Sequence, residues 1–203
     1  PELIIARWSL AHSYSTIGDN QRALQEYMEV LNINPKHAPS LHGIALIYYD
    51  MADYQNAIKY AELTVEADPL TSHHHYTLGL AYYQMKDWDK AETALNEAVT
   101  IDPDYVNAII TLGLVYYYKA EYPMAIKLYQ KVLKKDPNNL LANYNLGLVY
   151  YDQKNWNQAV VTFQKTVQID PKHTNAWFNM ANCYWYMSQW EKAYNTYNKV
   201  LEL

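Results

Sequence analysis

The chain has 203 residues, half of them hydrophobic, with a net charge of −5 and a pI near 5.8. That much apolar material excludes intrinsic disorder, and an acidic balance with no Arg-rich stretch argues against binding nucleic acid through its phosphates. No apolar run approaches the length of a bilayer, no signal-peptide pattern opens the chain, and the single cysteine, Cys183, excludes an intrachain disulfide.

A proline ladder gives the register for the predicted elements. Pro1, Pro35, Pro69, Pro103, Pro137 and Pro171 stand 34 residues apart without an insertion. Ala23, Ala57, Ala91, Ala125, Ala159 and Ala193 keep the same step, as do Tyr14, Tyr48, Tyr82, Tyr116, Tyr150 and Tyr184. A fixed period of this size signifies stacked supersecondary units. Six are expected, at about 4–37, 38–71, 72–105, 106–139, 140–173 and 174–203. Each reads as two helices of about 13 residues, roughly 20 Å long. The Asn-Pro or Asp-Pro pair stops the second, because proline cannot continue a helix and pushes its predecessor out of the helical region. The spacing therefore predicts twelve helices and no strand, with turns inside each pair near Gly18, Ala52, Lys86, Ala120, Lys154 and Ser188.

Taken in order, the first unit departs most from the pattern, with Arg7 and Asn20 at mostly apolar positions. It alone has a glycine in its turn, so the other five turns are expected to carry slight backbone strain. The second unit has Pro39 near a helix start, where a missing N–H costs little. The third opens on His73, His74 and His75, which point about 100° apart on a helix and cannot all ligate one ion. His75 falls in a core column with Leu41 and Ile109, whereas His12, His42 and His73 succeed one another on first helices. These are expected to be solvated or hydrogen-bonded imidazoles, with a pH-sensitive patch as the functional alternative.

The fourth unit carries Pro123, again near a helix start, and Lys127, Lys131, Lys134 and Lys135 at helical spacing. Its residues sum to +3, where the second and third units each sum to −4. A solvated outer face is expected, the alternative being a docking patch for an acidic partner or a neighbouring copy. The fifth unit shows the pattern most fully. Leu140 to Asp152 is helical, Lys154 and Asn155 break it, Trp156 to Ile169 resumes it, and Asp170-Pro171 ends it. In the sixth, Cys183 shares a column with Ile47, Ala81, Val115 and Val149, which predicts a buried thiol rather than a nucleophile. Trp185, Trp190, Tyr194 and Tyr197 are expected to pack on a further element or partner.

Small and large columns explain how the pairs close. Gly79, Gly113 and Gly147, with Ala11, Ala45 and Ala181 in the same column, mark close approach of the first helix to its partner. Tyr54, Trp88, Tyr122, Trp156 and Trp190 fill the space beside them, as do Leu10, Ile44, Leu78, Leu112, Leu146 and Met180.

The segment Ala142 to Tyr150 (Ala-Asn-Tyr-Asn-Leu-Gly-Leu-Val-Tyr), followed by Trp156, Ala159, Phe163 and Pro171, resembles the signature of the tetratricopeptide repeat family. The resemblance covers essentially the whole chain and implies an all-α fold. That fold is a right-handed superhelical solenoid of antiparallel helix pairs, here one domain over 1–203; with repeat boundaries at both ends and no polar capping helix, a segment of a longer array or an end covered by a partner is expected. It also implies a protein-interaction module with no catalytic residues, cofactor or metal. The partner would be a protein or peptide, apolar or amphipathic, and neither nucleic acid nor a membrane span. By the same resemblance, one stripe of each first helix faces a partner-binding groove. That stripe holds Leu46, Leu80, Leu114 and Leu148, then Tyr49, Tyr83, Tyr117 and Tyr151, then Tyr76, Ile110 and Tyr144, the last column continuing through Trp8 and Phe178 and interrupted by His42. The lysines of the family's carboxylate clamp are absent from that last column. Asn145 and Asn179 resemble inward asparagines of O-linked sugar transferases, so a substrate-recruiting domain of a larger enzyme is one alternative. A structural subunit that self-associates through its ends is the other.

Overall fold

The computed structural model describes residues 2–203; Pro1, the first rung of the ladder, lies outside them. Among the described residues there are twelve helices and no strand. They pair as α1 (Glu2–Thr16) with α2 (Asn20–Ile33), α3 (Ala38–Asp50) with α4 (Tyr54–Ala67), and α5 (Ser72–Gln84) with α6 (Trp88–Ile101). The later pairs are α7 (Val106–Tyr118) with α8 (Tyr122–Lys135), α9 (Leu140–Asp152) with α10 (Trp156–Ile169), and α11 (Thr174–Tyr186) with α12 (Trp190–Glu202). The chain is thus an all-α tetratricopeptide-type solenoid, and α9 and α10 begin and end where the sequence pattern puts them.

Local chemistry sets the boundaries. Asp19, Asp53 and Asp87 each precede a second helix and accept the backbone N–H three residues on, at 3.1, 3.2 and 3.3 Å, so an orphan donor is satisfied at each start. The Asx-Pro ends are turns built by their own side chains. Asn34, Asp102, Asp136 and Asp170 each accept the backbone N–H two residues on, at 3.0–3.2 Å. This bond reverses the chain where proline forbids more helix.

The turns inside the pairs are left-handed at the six expected positions. Gly18 has φ 81°, and Ala52, Lys86, Ala120, Lys154 and Ser188 have φ of 58–59°. Asp53 N–H reaches back to the Tyr48 carbonyl at 2.9 Å, as Asn155 does to Tyr150 at 2.8 Å, which closes the last turn of the first helix. A non-glycine residue in this region is disfavoured by about 1–2 kcal/mol, whereas glycine gives back about 0.4–1 kcal/mol through the unfolded chain. Each of Lys86→Gly and Lys154→Gly should therefore raise stability by a few tenths to about 1 kcal/mol. Thermal melting checks this, and a lower midpoint for both variants would refute it.

The helices form two compact units, one ending at Ala108 and the other running from Ile109 to Leu203. Within the first, Ala11, Ala23, Tyr27, Ile44 and Ile47 make a continuous core. The intrahelical glycines have one role throughout. A Cβ on Gly43 would stand 2.5 Å from the Tyr27 ring, on Gly79 2.6 Å from Leu95, on Gly113 2.6 Å from the Tyr129 ring, and on Gly147 2.5 Å from the Phe163 ring. Large residues of the second helices therefore lie directly against first-helix backbone.

Candidate functional site

The first helices lie on the inside of each unit's curve. In the first unit α1 touches α3 and α3 touches α5, while among the described residues α2, α4 and α6 do not touch one another. In the second, α9 touches α11, while among the described residues α10 touches neither α8 nor α12. The face that the first helices share is therefore the concave one in each unit.

In the first unit, Tyr49, Tyr76, Leu80 and Tyr83 are half-buried and Leu46 is 36 % exposed. In the second, Leu114, Tyr117, Tyr144, Leu148 and Tyr151 are half-buried, whereas Ile110 is only 5 % exposed and contributes packing rather than surface. The tyrosines also join helices. Gln84 Nε2 donates to the Tyr49 hydroxyl at 2.9 Å, Tyr117 donates to Asp152 Oδ2 at 2.6 Å, and Asn179 Nδ2 donates to the Tyr144 hydroxyl at 3.3 Å. Each ring in the Tyr49 column also meets an aromatic of its own pair. Tyr49 packs on Tyr54, Tyr83 on Trp88, Tyr117 on Tyr122 and Tyr151 on Trp156, at 5.3–6.1 Å between ring centres. Burial and then the Asp152 carboxylate push the Tyr117 phenol up. Burial and then Tyr186 bring Tyr151 to about 12. These rings therefore stay neutral and hydrogen-bonding near neutral pH. Sequence columns alone did not reveal the Trp156–Tyr186 stack, 4.7 Å and 17° apart, which bridges the last two pairs.

His42, His73 and His74 are clustered, and hydrogen bonds engage His42, His73 and His75, while His12 and His73 remain exposed. The His42 ring lies 4.9 Å from His73 and 5.0 Å from His74, and His42 Nε2 is 3.1 Å from Thr77 Oγ1. Thr77 donates its hydroxyl proton to the His73 carbonyl at 3.0 Å, so His42 Nε2 must be the donor to Thr77. His73 Nδ1 meets the Tyr105 hydroxyl at 2.6 Å, and His75 Nε2 donates to the Pro69 carbonyl at 2.9 Å. His12 stands apart, stacked on Trp8. Among the described residues no group of three or more His, Cys, Asp or Glu is arranged to hold a metal ion.

Charge is sorted between the two kinds of helix. From α3 to α11 the first helices carry only two charged residues, Asp50 and Asp152. The second helices and the turns carry nearly all the rest, including the four lysines of α8. This contrast was open to view in the sequence but shows only when the two helices of a pair are compared. The Cys183 thiol is fully buried, and burial pushes it up to about 12, so it is a poor nucleophile. Trp185, Trp190 and Tyr194 are more than half exposed, and Tyr197 donates to Asn182 Oδ1 at 2.5 Å. Among the described residues no helix is long and apolar enough to cross a membrane.

Comparison with known proteins places this architecture. The family model for subunit 3 of the anaphase-promoting complex, or cyclosome, matches residues 118–200, and two tetratricopeptide repeat models match 42–106 and 5–37. No curated protein sequence matches the chain. A crystal structure of MamA is similar, at 27 % identity and a TM-score of 0.75, over 81 % of this chain and 96 % of that one. YrrB, reported as a tetratricopeptide repeat protein with an unusual peptide-binding site, is 18 % identical with a TM-score of 0.72, over 87 % and 91 %. A tetratricopeptide repeat protein from Parabacteroides merdae ATCC 43184 is 15 % identical with a TM-score of 0.86, over 100 % and 80 %. The last two likenesses are of fold alone.

Proposed function

The chain belongs to the tetratricopeptide repeat family and is a protein–protein interaction module, and from that premise we propose that its first helices bind an uncharged apolar or amphipathic segment of a partner protein. The observation that carries this reading is the near absence of charge on α3, α5, α7, α9 and α11, whose concave faces in each unit still expose parts of leucine and tyrosine side chains. A charged ligand would lose water there without gaining a counter-charge. A neutral one gains apolar contact from Leu46 and Leu80 in the first unit or from Leu114 and Leu148 in the second, and hydrogen bonds from phenol and imidazole edges. The amphipathic helix is the favoured form, because its anchors recur at successive turns and can meet side chains presented by successive helices. The peptide-binding site named for YrrB supports a peptide as the ligand class.

The test is a selection of displayed 15-residue peptides on the immobilised protein, followed by calorimetric titration of the recovered peptides. Selected sequences should be apolar and neutral, with affinity nearly constant between about 50 and 500 mM salt, because no screened charge pair is involved. Leu80→Glu with Leu148→Glu should weaken binding by about a hundredfold or more, since a carboxylate would be desolvated under the ligand. Lys131→Ala with Lys134→Ala, on the second-helix side, should leave it unchanged. Charged, salt-sensitive peptides that tolerate the glutamates would overturn the proposal.

A further inference from the structure

We propose that the second unit holds a binding site for an uncharged sugar ring, in a crevice of about 340 Å³ on the side of its second helices. The crevice exists because α10 and α12 flank α11 and, among the described residues, do not touch one another. Val167 and Met180, both buried, give it an apolar floor. Gln164 and Gln168 of α10, Trp177 and Tyr184 of α11 and Thr196 of α12 complete the lining, which holds no charged side chain.

At this crevice the repeat departs from its own pattern in two columns. Leu41, His75, Ile109 and Asn143 hold the position of Trp177 in earlier pairs, and all four are buried. Trp177 is only half-buried and lines the crevice. Its Nε1–H donates to the Pro171 carbonyl at 2.9 Å, as His75 Nε2 does to Pro69 in its own pair, so the indole is held in one orientation. Gln164 and Tyr184 stand where Glu62 and Tyr82 stand three pairs earlier. There the carboxylate accepts the Tyr82 hydroxyl proton. With glutamine in its place, the Tyr184 hydroxyl has no hydrogen-bond partner among the described residues, and neither do the amides of Gln164 and Gln168.

This set of groups selects the chemistry of the occupant. A charged ligand would lose water without gaining a counter-charge from the lining. A purely apolar one would cut two amides and a phenol off from water and leave them unpaired. Sugar hydroxyls both donate and accept, as amides and phenols do. The C–H face of a sugar ring also packs on the electron-rich face of an aromatic ring. The Lys192 ammonium lies over the Tyr184 ring, 5.6 Å from its centre, so Trp177 is the platform for that contact. The volume lies at the small end of the range of ligand sites, which suits a single ring.

NMR titration of the full chain with methyl glucoside and with N-acetylglucosamine tests this, read at the Trp177 indole N–H and the side-chain amides of Gln164 and Gln168. At least one of the two sugars should shift all three signals along a saturable curve, with a Kd of about 1–10 mM. Gln164→Leu with Gln168→Leu, at exposed positions, should weaken binding at least about tenfold. Trp177→His should do the same, and it keeps the fold because His75 makes the equivalent bond in its own pair. Leu80→Glu with Leu148→Glu should leave sugar binding unchanged, which separates this site from the first-helix face. Three controls are titrated alongside: cyclohexanol, N-acetylglycinamide and glucuronate. The proposal is overturned if neither sugar gives a saturable shift up to about 100 mM, or if the glutamine and tryptophan variants bind as the parent does. Equal binding of cyclohexanol or N-acetylglycinamide overturns it too, the first marking a merely apolar crevice and the second a peptide site. So does tighter binding of glucuronate that is lost at about 500 mM salt, which would mark an anion site at Lys192.

Discussion

In a double-mutant cycle, Gly147→Ala should lower stability by about 1–3 kcal/mol when Phe163 is present and raise it slightly when Phe163 is alanine. In an exposed helix the same change is favourable by about 0.5–1 kcal/mol, because glycine loses more conformational freedom on folding. Here the added carbon would sit 2.5 Å from Cε1 of Phe163 and 2.7 Å from Cδ1, with a third ring atom at 3.0 Å. Phe163 is fully buried, so the ring has no space to retreat into. Phe163→Ala alone should cost about 3–5 kcal/mol, the largest stability effect expected of any change named here. Repeat stacks unfold in parts, so the readout is native-state hydrogen exchange of α9 and α10 rather than a single midpoint. Equal effects of Gly147→Ala in both backgrounds would show that Phe163 does not set the approach of the two helices.

The same contact shows what the sequence made legible. Period, helix count, turn positions and the small column all follow from residue type at fixed spacing, because steric rules act on a few neighbours at a time. Lys86 and Lys154 could be assigned to a turn without their side chains mattering, since what recurs there is a backbone conformation. Gly43 is different. It falls outside the small column, in register with Thr77, Thr111 and Asn145, and nothing in that column asks for glycine. The reason is a long-range one: Tyr27, on the second helix of the preceding pair, presses its ring against Gly43. The groove residues were harder still. Periodicity puts Ile110 and Tyr144 in one column, yet one is buried and the other half-exposed, because exposure depends on what each neighbouring helix contributes. Likewise, His12, His42 and His73 read one by one suggest solvated or hydrogen-bonded rings, and only the packing of α3 on α5 brings His42, His73 and His74 into a cluster.

That cluster makes the protein acid-sensitive in a defined window. Burial, and then the neighbouring His73 and His74, bring His42 from its ordinary value of 6.5 down to about 4. The folded state therefore holds His42 neutral where the unfolded chain protonates it, so the unfolded chain binds more protons between those values. Stability is then highest above about 6.5 and falls as pH drops towards 4, by about 2–3 kcal/mol in all from this residue. His73, also lowered by burial first and by His74 second, adds a loss of the same sign. Depressed carboxylates such as Asp68, held down mainly by the Thr71 hydroxyl, lose their contribution only as pH falls further, below the ordinary 3.8. The remaining groups around His42 are His74, which meets Asp68 Oδ2 at 3.5 Å, and the Tyr105 hydroxyl on His73. Neither gives a protonated His42 a direct counter-charge. His42→Gln keeps a donor for Thr77 and cannot titrate. It should flatten the slope of stability against pH between about 4 and 6.5 while leaving stability at pH 7.5 within about 1 kcal/mol of the parent. Imidazole proton titration by NMR gives the direct check: a His42 that titrates near 6.5 in the folded protein would remove the cause assigned to the acid loss.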